Sequence, residues 1–147
     1  MADAPKPRLD TFLCFAVYSA NLAYGRAYKP ILDQLGVTYP QYIAIVALWE
    51  QDHQSVGSLG EKMFLESNTV TPLLKKLEAM GLVRRERDPK DERSVIVSLT
   101  DAGRKLREKG LTMNLVEASG LKPDEFAAMQ KGIVRLRDNL IRAAKAS

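Results

Sequence analysis

The chain has 147 residues, enough for one domain with a real hydrophobic core, and its net charge of +4 suits an anionic partner. Its single cysteine excludes an intrachain disulfide and a cysteine-rich zinc site, and its single histidine argues against metal or acid–base catalysis. The N-terminus has no apolar signal region and no stretch is long and apolar enough for a membrane helix, so we expect a cytoplasmic protein without a membrane, metal or cofactor.

The first predicted helix runs from about Leu9 to Tyr28. Its apolar positions recur at a 4-3-4-3-4 spacing that suits packing on another helix. These positions are Leu9, Leu13, Ala16, Ala20, Ala23 and Ala27. Cys14 lies in this helix between Phe12 and Phe15. The local pattern leaves two interpretations open, a buried cysteine that acts as a small hydrophobe and a reactive thiol whose activating groups come from elsewhere.

A second helix is predicted to follow the capping box of Thr38 and Gln41, in which each side chain bonds a free backbone N–H. Pro40 suits the first turn of such a helix, because the N–H that it lacks would have no partner there. The helix should extend to about Gln51, and His53 should lie on the surface in the polar turn that comes next.

Residues 58–101 carry the most specific pattern of the chain: a helix, a short turn, a second helix, a strand, a charged loop and a strand. Ser58 and Glu61 make another capping box, which predicts that the first of these helices begins at Ser58. This order of elements predicts a winged helix-turn-helix, a fold that puts one helix in the major groove of DNA and a loop beside it.

The second helix of this motif should have one buried and one polar face. Ser67 or Asn68 should cap its start, and Gly81 should end it in a left-handed conformation. The predicted buried stripe consists of Val70, Leu73, Leu74, Leu77 and Met80. The residues assigned to DNA binding on the other face are Asn68, Thr69, Thr71, Pro72, Lys75 and Lys76. Short polar side chains can reach bases or phosphates and lysines can reach phosphates, but an ordinary solvated face fits the same pattern.

Residues 82–99 should form the wing, since apolar and polar residues alternate from Ser94 to Leu99 with the period of a strand. Asp88 and Pro89 begin a turn between the two strands. Arg93 is assigned to a DNA minor groove, whose negative potential attracts arginine, and Asp91 is expected to orient it by a salt bridge. The competing interpretation is a surface hairpin rich in ion pairs.

The C-terminal part of the chain is predicted to be helical. Thr100 can cap a helix that runs through roughly Val116, with an interruption at Gly110, and a last helix should run from Pro123 to about Ala144. The near-heptad apolar series of the last helix is Phe126, Met129, Ile133, Leu136, Leu140 and Ala143 or Ala144. This series exceeds what a small domain needs for its own core, which predicts a dimer interface.

The fold class expected from these elements is mainly α with a small β-wing, a winged helix-turn-helix that forms a homodimer through its N- and C-terminal helices. Within a single domain of residues 1–147, we expect residues 1–35 and 100–147 to dimerise and residues 38–99 to bind DNA. A two-fold dimer would place its two recognition helices about one turn of DNA apart, roughly 34 Å.

Two long segments resemble the MarR (multiple antibiotic resistance regulator) family: NTVTPLLKKLEAMGLVRRERD and DERSVIVSLTDAG. LCFAVY around Cys14 and the run AYKPILDQLGVTYPQYIAIVALWE are similar to its organic hydroperoxide resistance regulators, and the resemblance covers nearly the whole chain. It implies a DNA-binding transcriptional repressor, not an enzyme, whose peroxide-sensing thiol is Cys14. It also implies that the hydroxyls of Tyr28 and Tyr39 hydrogen-bond the thiolate across the dimer.

Because there is no second cysteine, the chain resembles the single-cysteine type of this subfamily. A sulfenic acid on Cys14 would then react with a small cellular thiol, form a cyclic sulfenamide or be over-oxidised. The expected partners are double-stranded operator DNA, organic hydroperoxides, a small cellular thiol after oxidation and a second copy of the chain. The alternative is a MarR-type repressor that binds a phenolic or other small ligand, with Cys14 in a structural role.

Overall fold

The computed structural model describes residues 4–110 and 115–146. The chain divides into two compact units, residues 1–113 and residues 114–147. The helices of the first unit are α1 (Leu13–Leu35), α2 (Tyr39–Glu50), α3 (Val56–Met63), α4 (Ser67–Ala79) and α5 (Asp101–Gly110). Its strands are β1 (Gln54–Ser55), β2 (Val83–Asp88) and β3 (Asp91–Leu99). The second unit contains α6 (Leu115–Ala118) and α7 (Pro123–Ala146). Among the described residues, no helix is long and apolar enough to span a membrane.

The three strands form one antiparallel sheet in the order β1-β3-β2. Val83 pairs with Leu99, and Gln54 pairs with Val97. The predicted wing is therefore confirmed, and a short third strand that the sequence pattern did not reveal is added to it. Helices α2, α3 and α4 pack with the inner face of this sheet around the core, whose fully buried large side chains are Ile45, Leu48, Leu59, Val70, Leu74, Leu77 and Val97.

Helix α1 differs from its prediction at both ends. It begins at Leu13 rather than Leu9, because residues 9–11 form a short 3-10 helix and Phe12 is extended. It also runs past Tyr28 and through Pro30 to Leu35, where Gly36 ends it with a φ of 75°. The last turns bury Leu32 in the core, and this burial offsets the hydrogen bond that proline removes.

The capping box that begins α2 is confirmed. The Thr38 hydroxyl accepts a hydrogen bond from the Gln41 N–H at 3.4 Å, and the Gln41 side-chain oxygen accepts one from the Thr38 N–H at 2.9 Å. The helix ends at Glu50, one residue before the predicted end. His53 follows on the surface, as expected, with a positive φ of 57°.

The predicted starts of the two helix-turn-helix helices are wrong. Helix α3 begins at Val56, and the hydroxyl that caps it is that of Ser55, which accepts from the Ser58 N–H at 3.0 Å. Pairing of Ser55 with Ile96 of β3 keeps the chain extended up to that residue, so the turn begins three residues before Ser58. The Ser58 hydroxyl instead donates to the side-chain oxygen of Gln54 at 3.0 Å.

Helix α4 begins at Ser67 with no side-chain cap, so neither Ser67 nor Asn68 has the predicted capping role. The Glu66 carbonyl already accepts the first helical hydrogen bonds, which places Ser67 and Asn68 inside the helix. Gly81 takes the predicted left-handed conformation after the helix, with a φ of 76°. Of the predicted buried stripe, Leu73 is only partly buried and Met80, which follows the last helical residue, is 44% exposed.

The two C-terminal predictions have different outcomes. The Thr100 hydroxyl caps α5 by accepting from the Gly103 N–H at 3.2 Å, as expected, whereas the predicted continuation towards Val116 passes through residues 111–114, which lie outside the described residues. Helix α7 begins at the predicted Pro123 and ends at Ala146. Its apolar series leaves Met129, Ile133 and Leu140 more than two-fifths exposed.

Candidate DNA interface and thiol site

The outer face of α4 carries the residues assigned to DNA binding. Asn68, Thr69, Pro72, Lys75 and Lys76 are exposed, and Thr71 is half-buried at the edge of this face. The inner face of the same helix is held in the core by fully buried side chains, namely Val70, Leu74 and Leu77. Within the described residues, neither lysine has an ion-pair partner on the protein. Helix α4 therefore presents hydrogen-bonding groups and two unpaired cations to solvent.

The wing presents Arg93, whose side chain is 95% exposed. The Asp91 carboxylate accepts a hydrogen bond from the Arg93 backbone N–H at 3.1 Å and lies 3.6 Å from the Arg93 Nε. The ion pair expected between these two residues is therefore present, and it holds the arginine at two points. The turn between the strands falls at Pro89 and Lys90, where Asp88 accepts from the Lys90 N–H at 2.9 Å.

An ion pair that sequence reasoning missed joins α4 to the wing. Glu78, near the end of α4, accepts hydrogen bonds from the Arg85 backbone N–H at 3.1 Å and from the Arg85 guanidinium at 3.1 and 3.3 Å. Arg85 is only 22% exposed, so this contact is better shielded from water than a surface pair. Opposite charges on both sides of the Gly81 turn were the signal that could have revealed it. The contact fixes the position of β2 relative to α4.

A second missed group lies at the base of the wing, where Asp52 joins three elements. Its carboxylate accepts from the N–H groups of Leu99 and His53, both at 2.9 Å, and lies 3.4 Å from the Arg104 guanidinium of α5. Burial alone would raise the pKa of Asp52, but these hydrogen bonds and the neighbouring charges lower it below its ordinary value. Asp52 is therefore held as a carboxylate that ties the end of α2 to β3 and α5.

Cys14 lies on the exposed side of α1. Its aromatic neighbours do not enclose it within the chain, since Phe12 is 41% exposed and Phe15 is 39% exposed. In a single copy of the chain, Cys14 is therefore not the buried hydrophobic residue of the first interpretation. The thiol and the apolar side chains around it lie on a surface that another molecule can cover.

Tyr28 and Tyr39 come together where α1 meets the start of α2, with ring centroids 5.2 Å apart. Tyr24 and Tyr42 extend this aromatic cluster, each with its ring 6.4 Å from that of Tyr28. Burial raises the pKa of Tyr28 and of Tyr39 above the ordinary tyrosine value, and neighbouring tyrosines raise both further. Both hydroxyls are therefore protonated at neutral pH and are available as hydrogen-bond donors.

The predicted thiol site is not assembled within one chain. Cys14 and Tyr28 belong to the same helix and lie fourteen residues apart, so about 21 Å separates them along its axis. A hydrogen bond between the thiol of one α1 and the hydroxyl of a Tyr28 needs a second helix that brings its own tyrosine to the first cysteine.

The chain is similar to known transcriptional regulators. Residues 26–109 match the family described as transcriptional regulator SarA/Rot. The HTH-type transcriptional regulator TtmR of Methylorubrum extorquens is 47% identical over 134 residues, covering 90% of this chain and 69% of that protein. The organic hydroperoxide resistance transcriptional regulator of Bacillus subtilis is 43% identical over 118 residues, covering 77% of this chain and 80% of that one.

The fold is also similar to that of AbfR, which has been solved bound to DNA in two redox states. The reduced form superposes with a TM-score of 0.77 at 34% identity, covering 89% of this chain and 91% of AbfR. The overoxidised form gives a TM-score of 0.72 at 37% identity, covering 87% and 91% of the two chains. In both AbfR structures the same architecture is seated on DNA.

Proposed function

Because the chain belongs to the MarR family of transcriptional regulators, of the organic hydroperoxide resistance kind, we propose that it is a homodimeric repressor that releases its operator when an organic hydroperoxide oxidises Cys14. Its relatives are DNA-binding regulators rather than enzymes. One observation carries the proposal. Cys14 is exposed on α1, and Tyr28 on the same helix is too far from Cys14 to hydrogen-bond its thiol within one chain.

In the proposed complex, the exposed face of α4 enters the major groove and Arg93 enters the adjacent minor groove. Asn68, Thr69 and Thr71 would contact base edges or phosphates, and Lys75 and Lys76 would contact phosphates. The pairing of Arg93 with Asp91 supports this, since it holds the guanidinium ready before DNA arrives. The net charge of +4 doubles in the dimer and adds a sequence-independent attraction.

The proposed dimer uses the N- and C-terminal helices. On α1 the large apolar side chains that remain exposed include Leu13 and Leu22, and on α7 they include Ile133 and Leu140. A second copy that covers these surfaces also brings its tyrosine pair to Cys14, so assembly and sensing depend on the same contact.

The proposed chemistry is a two-electron oxidation. The Cys14 thiolate attacks the terminal oxygen of the hydroperoxide, an S–O bond forms and the O–O bond breaks. The alkoxide takes up a proton and leaves as an alcohol, and Cys14 becomes a sulfenic acid. A small cellular thiol can then condense with the sulfenic acid, with loss of water, to give a mixed disulfide.

In the reduced dimer, the hydroxyls of Tyr28 and Tyr39 donate to the thiolate and favour it over the neutral thiol. Both tyrosines are neutral at pH 7, so both hydroxyls carry the proton that they would donate. Oxidation replaces the thiolate with a larger group, the helices shift, and the two recognition helices lose the spacing that the operator requires. A tenfold to hundredfold loss of affinity needs roughly 1–3 kcal/mol of coupling.

The central test measures operator binding by reduced protein before and after treatment with an alkyl hydroperoxide, with the mass of the Cys14 peptide recorded at each stage. We expect release to follow the appearance of an oxidised Cys14 peptide, and we expect Cys14→Ser to stay bound. If Cys14→Ser is released as readily as the wild type, the response belongs to a different ligand, as in the small-ligand alternative.

The activating role of the tyrosines has its own test. Tyr28→Phe and Tyr39→Phe each remove one hydroxyl and keep the ring, so each should slow oxidation of Cys14 and leave reduced-state DNA binding largely intact. Stopped-flow oxidation by one alkyl hydroperoxide measures the rate. Tyr18→Phe, which removes an exposed hydroxyl one turn from Cys14, is the control. Wild-type rates in both test variants would leave Cys14 without its proposed donors.

A further inference from the structure

The tyrosine pair is the start of an aromatic series that leads towards the wing. The ring of Tyr28 lies 6.4 Å from that of Tyr42, and the ring of Tyr42 lies 5.9 Å from that of Trp49 in an edge-on arrangement at 83°. Trp49 is the single tryptophan of the chain and lies in the last turn of α2. Three rings therefore connect the proposed sensing site to the far end of α2.

Trp49 connects α2 to α5. Its indole Nε1–H donates to the backbone carbonyl of Gly103 in α5 at 3.2 Å. Gly103 lies directly against the start of the wing, since a Cβ built on it would be 2.2 Å from the Leu82 carbonyl oxygen. Any displacement of Gly103 towards the wing must therefore move the backbone at Leu82.

The end of the recognition helix belongs to the same group of contacts. The Thr100 N–H donates to the Leu82 carbonyl at 3.1 Å, and the Thr100 hydroxyl donates to the Gly81 carbonyl at 2.6 Å. Gly81 ends α4 and Leu82 leads into β2. The first turn of α5 thus touches the junction between the two parts of the protein that are proposed to contact DNA.

We infer that Trp49 is a positioning residue that transmits a change at the Tyr28–Tyr39 pair to the junction of recognition helix and wing, through its ring contact with Tyr42 and its hydrogen bond to Gly103. This inference rests on the proposed function. Tyr28, Tyr42 and Trp49 are partly buried and pack against the core, so a movement of the Tyr28 ring is passed to Tyr42 and Trp49. The indole hydrogen bond converts that movement into a displacement of α5.

The test measures three quantities separately: the rate of Cys14 oxidation, the operator affinity of the reduced protein, and the loss of affinity on oxidation. Trp49→Phe keeps an aromatic ring and removes the N–H that bonds Gly103. We expect oxidation of Cys14 at the wild-type rate and near-normal operator affinity in the reduced state. The ratio of operator Kd values, oxidised over reduced, should fall by about threefold to tenfold, the range that one ordinary hydrogen bond can account for. Fluorescence anisotropy with labelled operator measures both Kd values.

Ile45→Val supplies the matched control, because it removes volume from a fully buried position on the same helix without touching a hydrogen bond. Its ratio should equal that of the wild type. If the ratio is unchanged in Trp49→Phe, or falls equally in Ile45→Val, the inference is wrong. Should Trp49→Phe not fold, Tyr42→Leu cuts the same series one ring earlier, and the same fall in the ratio is required of it.

Intrinsic fluorescence gives an independent measurement on the unaltered protein. Emission from Trp49 should shift when an alkyl hydroperoxide oxidises the wild-type dimer, and Cys14→Ser should show no shift. Release of wild-type protein from DNA without any change in Trp49 emission overturns this inference and leaves the proposed function standing. If wild-type protein stays on its operator after Cys14 is oxidised, the proposed function fails and the inference fails with it.

Discussion

The winged region, which comprises helices α2 to α5 and the three strands (residues 39–110), and helix α7 use their apolar residues in opposite ways. In the winged region Leu59, Leu74 and Val97 are fully buried, whereas in α7 Met129 is 55% and Leu140 is 60% exposed. Burying a large apolar side chain is favourable by about 1.5–3 kcal/mol, so a partner that covered the exposed series on α7 would gain a substantial free energy of association. The winged region carries its own core, whereas α7 leaves its apolar face exposed, as the proposed dimer interface requires.

The largest effect should come from a charge placed on α7. Leu140→Glu would put an unpaired carboxylate into the proposed dimer contact, which we expect to cost about 3–5 kcal/mol of association free energy. Because Leu140 is already exposed, the fold of each copy should survive. Sedimentation equilibrium should show a monomer at micromolar concentration.

The control for that change is Lys131→Glu, nine residues earlier and half a turn round the same helix. This variant should remain a dimer. A Leu140→Glu protein that is still dimeric at micromolar concentration would show that the exposed face of α7 is not the interface.

A glycine-to-alanine exchange in each region tests the contrast in packing. Gly103→Ala would force a methyl group against the Leu82 carbonyl and should lower the free energy of unfolding by about 1–3 kcal/mol. In the part of the chain that the structure describes, nothing beyond the neighbouring backbone of α7 lies within 4 Å of a Cβ built on Gly132, so Gly132→Ala should raise helix stability by roughly 0.5–1 kcal/mol. Urea unfolding monitored by circular dichroism measures both, and equal losses in the two variants would contradict the contrast.

The pH dependence of stability tests Asp52 in the winged region. Its folded-state pKa lies below the ordinary carboxyl value, so its contribution is present above that value and is lost as the pH falls through the folded pKa. Asp52→Asn should therefore cost about 1–2 kcal/mol at pH 7, and this deficit should shrink at pH values below about 4.

Asp33→Asn is the comparison for Asp52, because the Asp33 side chain is 64% exposed and pairs with Lys29 on the surface. This variant should lose little stability at either pH. Chemical unfolding at pH 7 and pH 3 provides the data. If Asp52→Asn lowers the free energy of unfolding equally at pH 7 and pH 3, the stabilising effect of Asp52 does not come from its charge.

The smallest effect is expected at the face of α4 that is proposed to contact DNA. Lys75→Ala and Lys76→Ala should each reduce the slope of log affinity against log salt by about one, for operator and unrelated DNA alike. Between 50 and 200 mM salt, a slope change of one alters affinity by about fourfold. Lys29→Ala on α1 should leave the slope unchanged. Unaltered slopes in both α4 variants would place the DNA interface elsewhere.

Signals that act over three or four residues were readable from the sequence. The capping box of Thr38 and Gln41 and the left-handed Gly81 depend only on near neighbours, and both predictions are confirmed. The equivalent box at Ser58 failed because pairing of Ser55 with Ile96, forty-one residues away, decides where the helix begins. Local caps are thus reliable only where no distant contact competes for the same segment.

The candidate site shows the same division. The polar face of α4 follows from helical periodicity, and the structure leaves that face exposed. The contacts of Glu78 with Arg85 and of Asp52 with Arg104 join separate elements, and no spacing rule revealed them. The pairing of Cys14 with Tyr28 was suggested only by family resemblance, because in one chain the two residues are kept apart by the helix that they share.

The contact between Glu78 and Arg85 has a consequence for the DNA itself. The contact holds α4 and the wing at one separation. In the proposed complex, the protein therefore sets the distance between the two DNA grooves that these elements enter. A duplex whose groove width differs must bend or twist to fit, and the cost depends on how easily its base steps deform. Operators with identical contacted bases but stiffer intervening steps should therefore be bound more weakly.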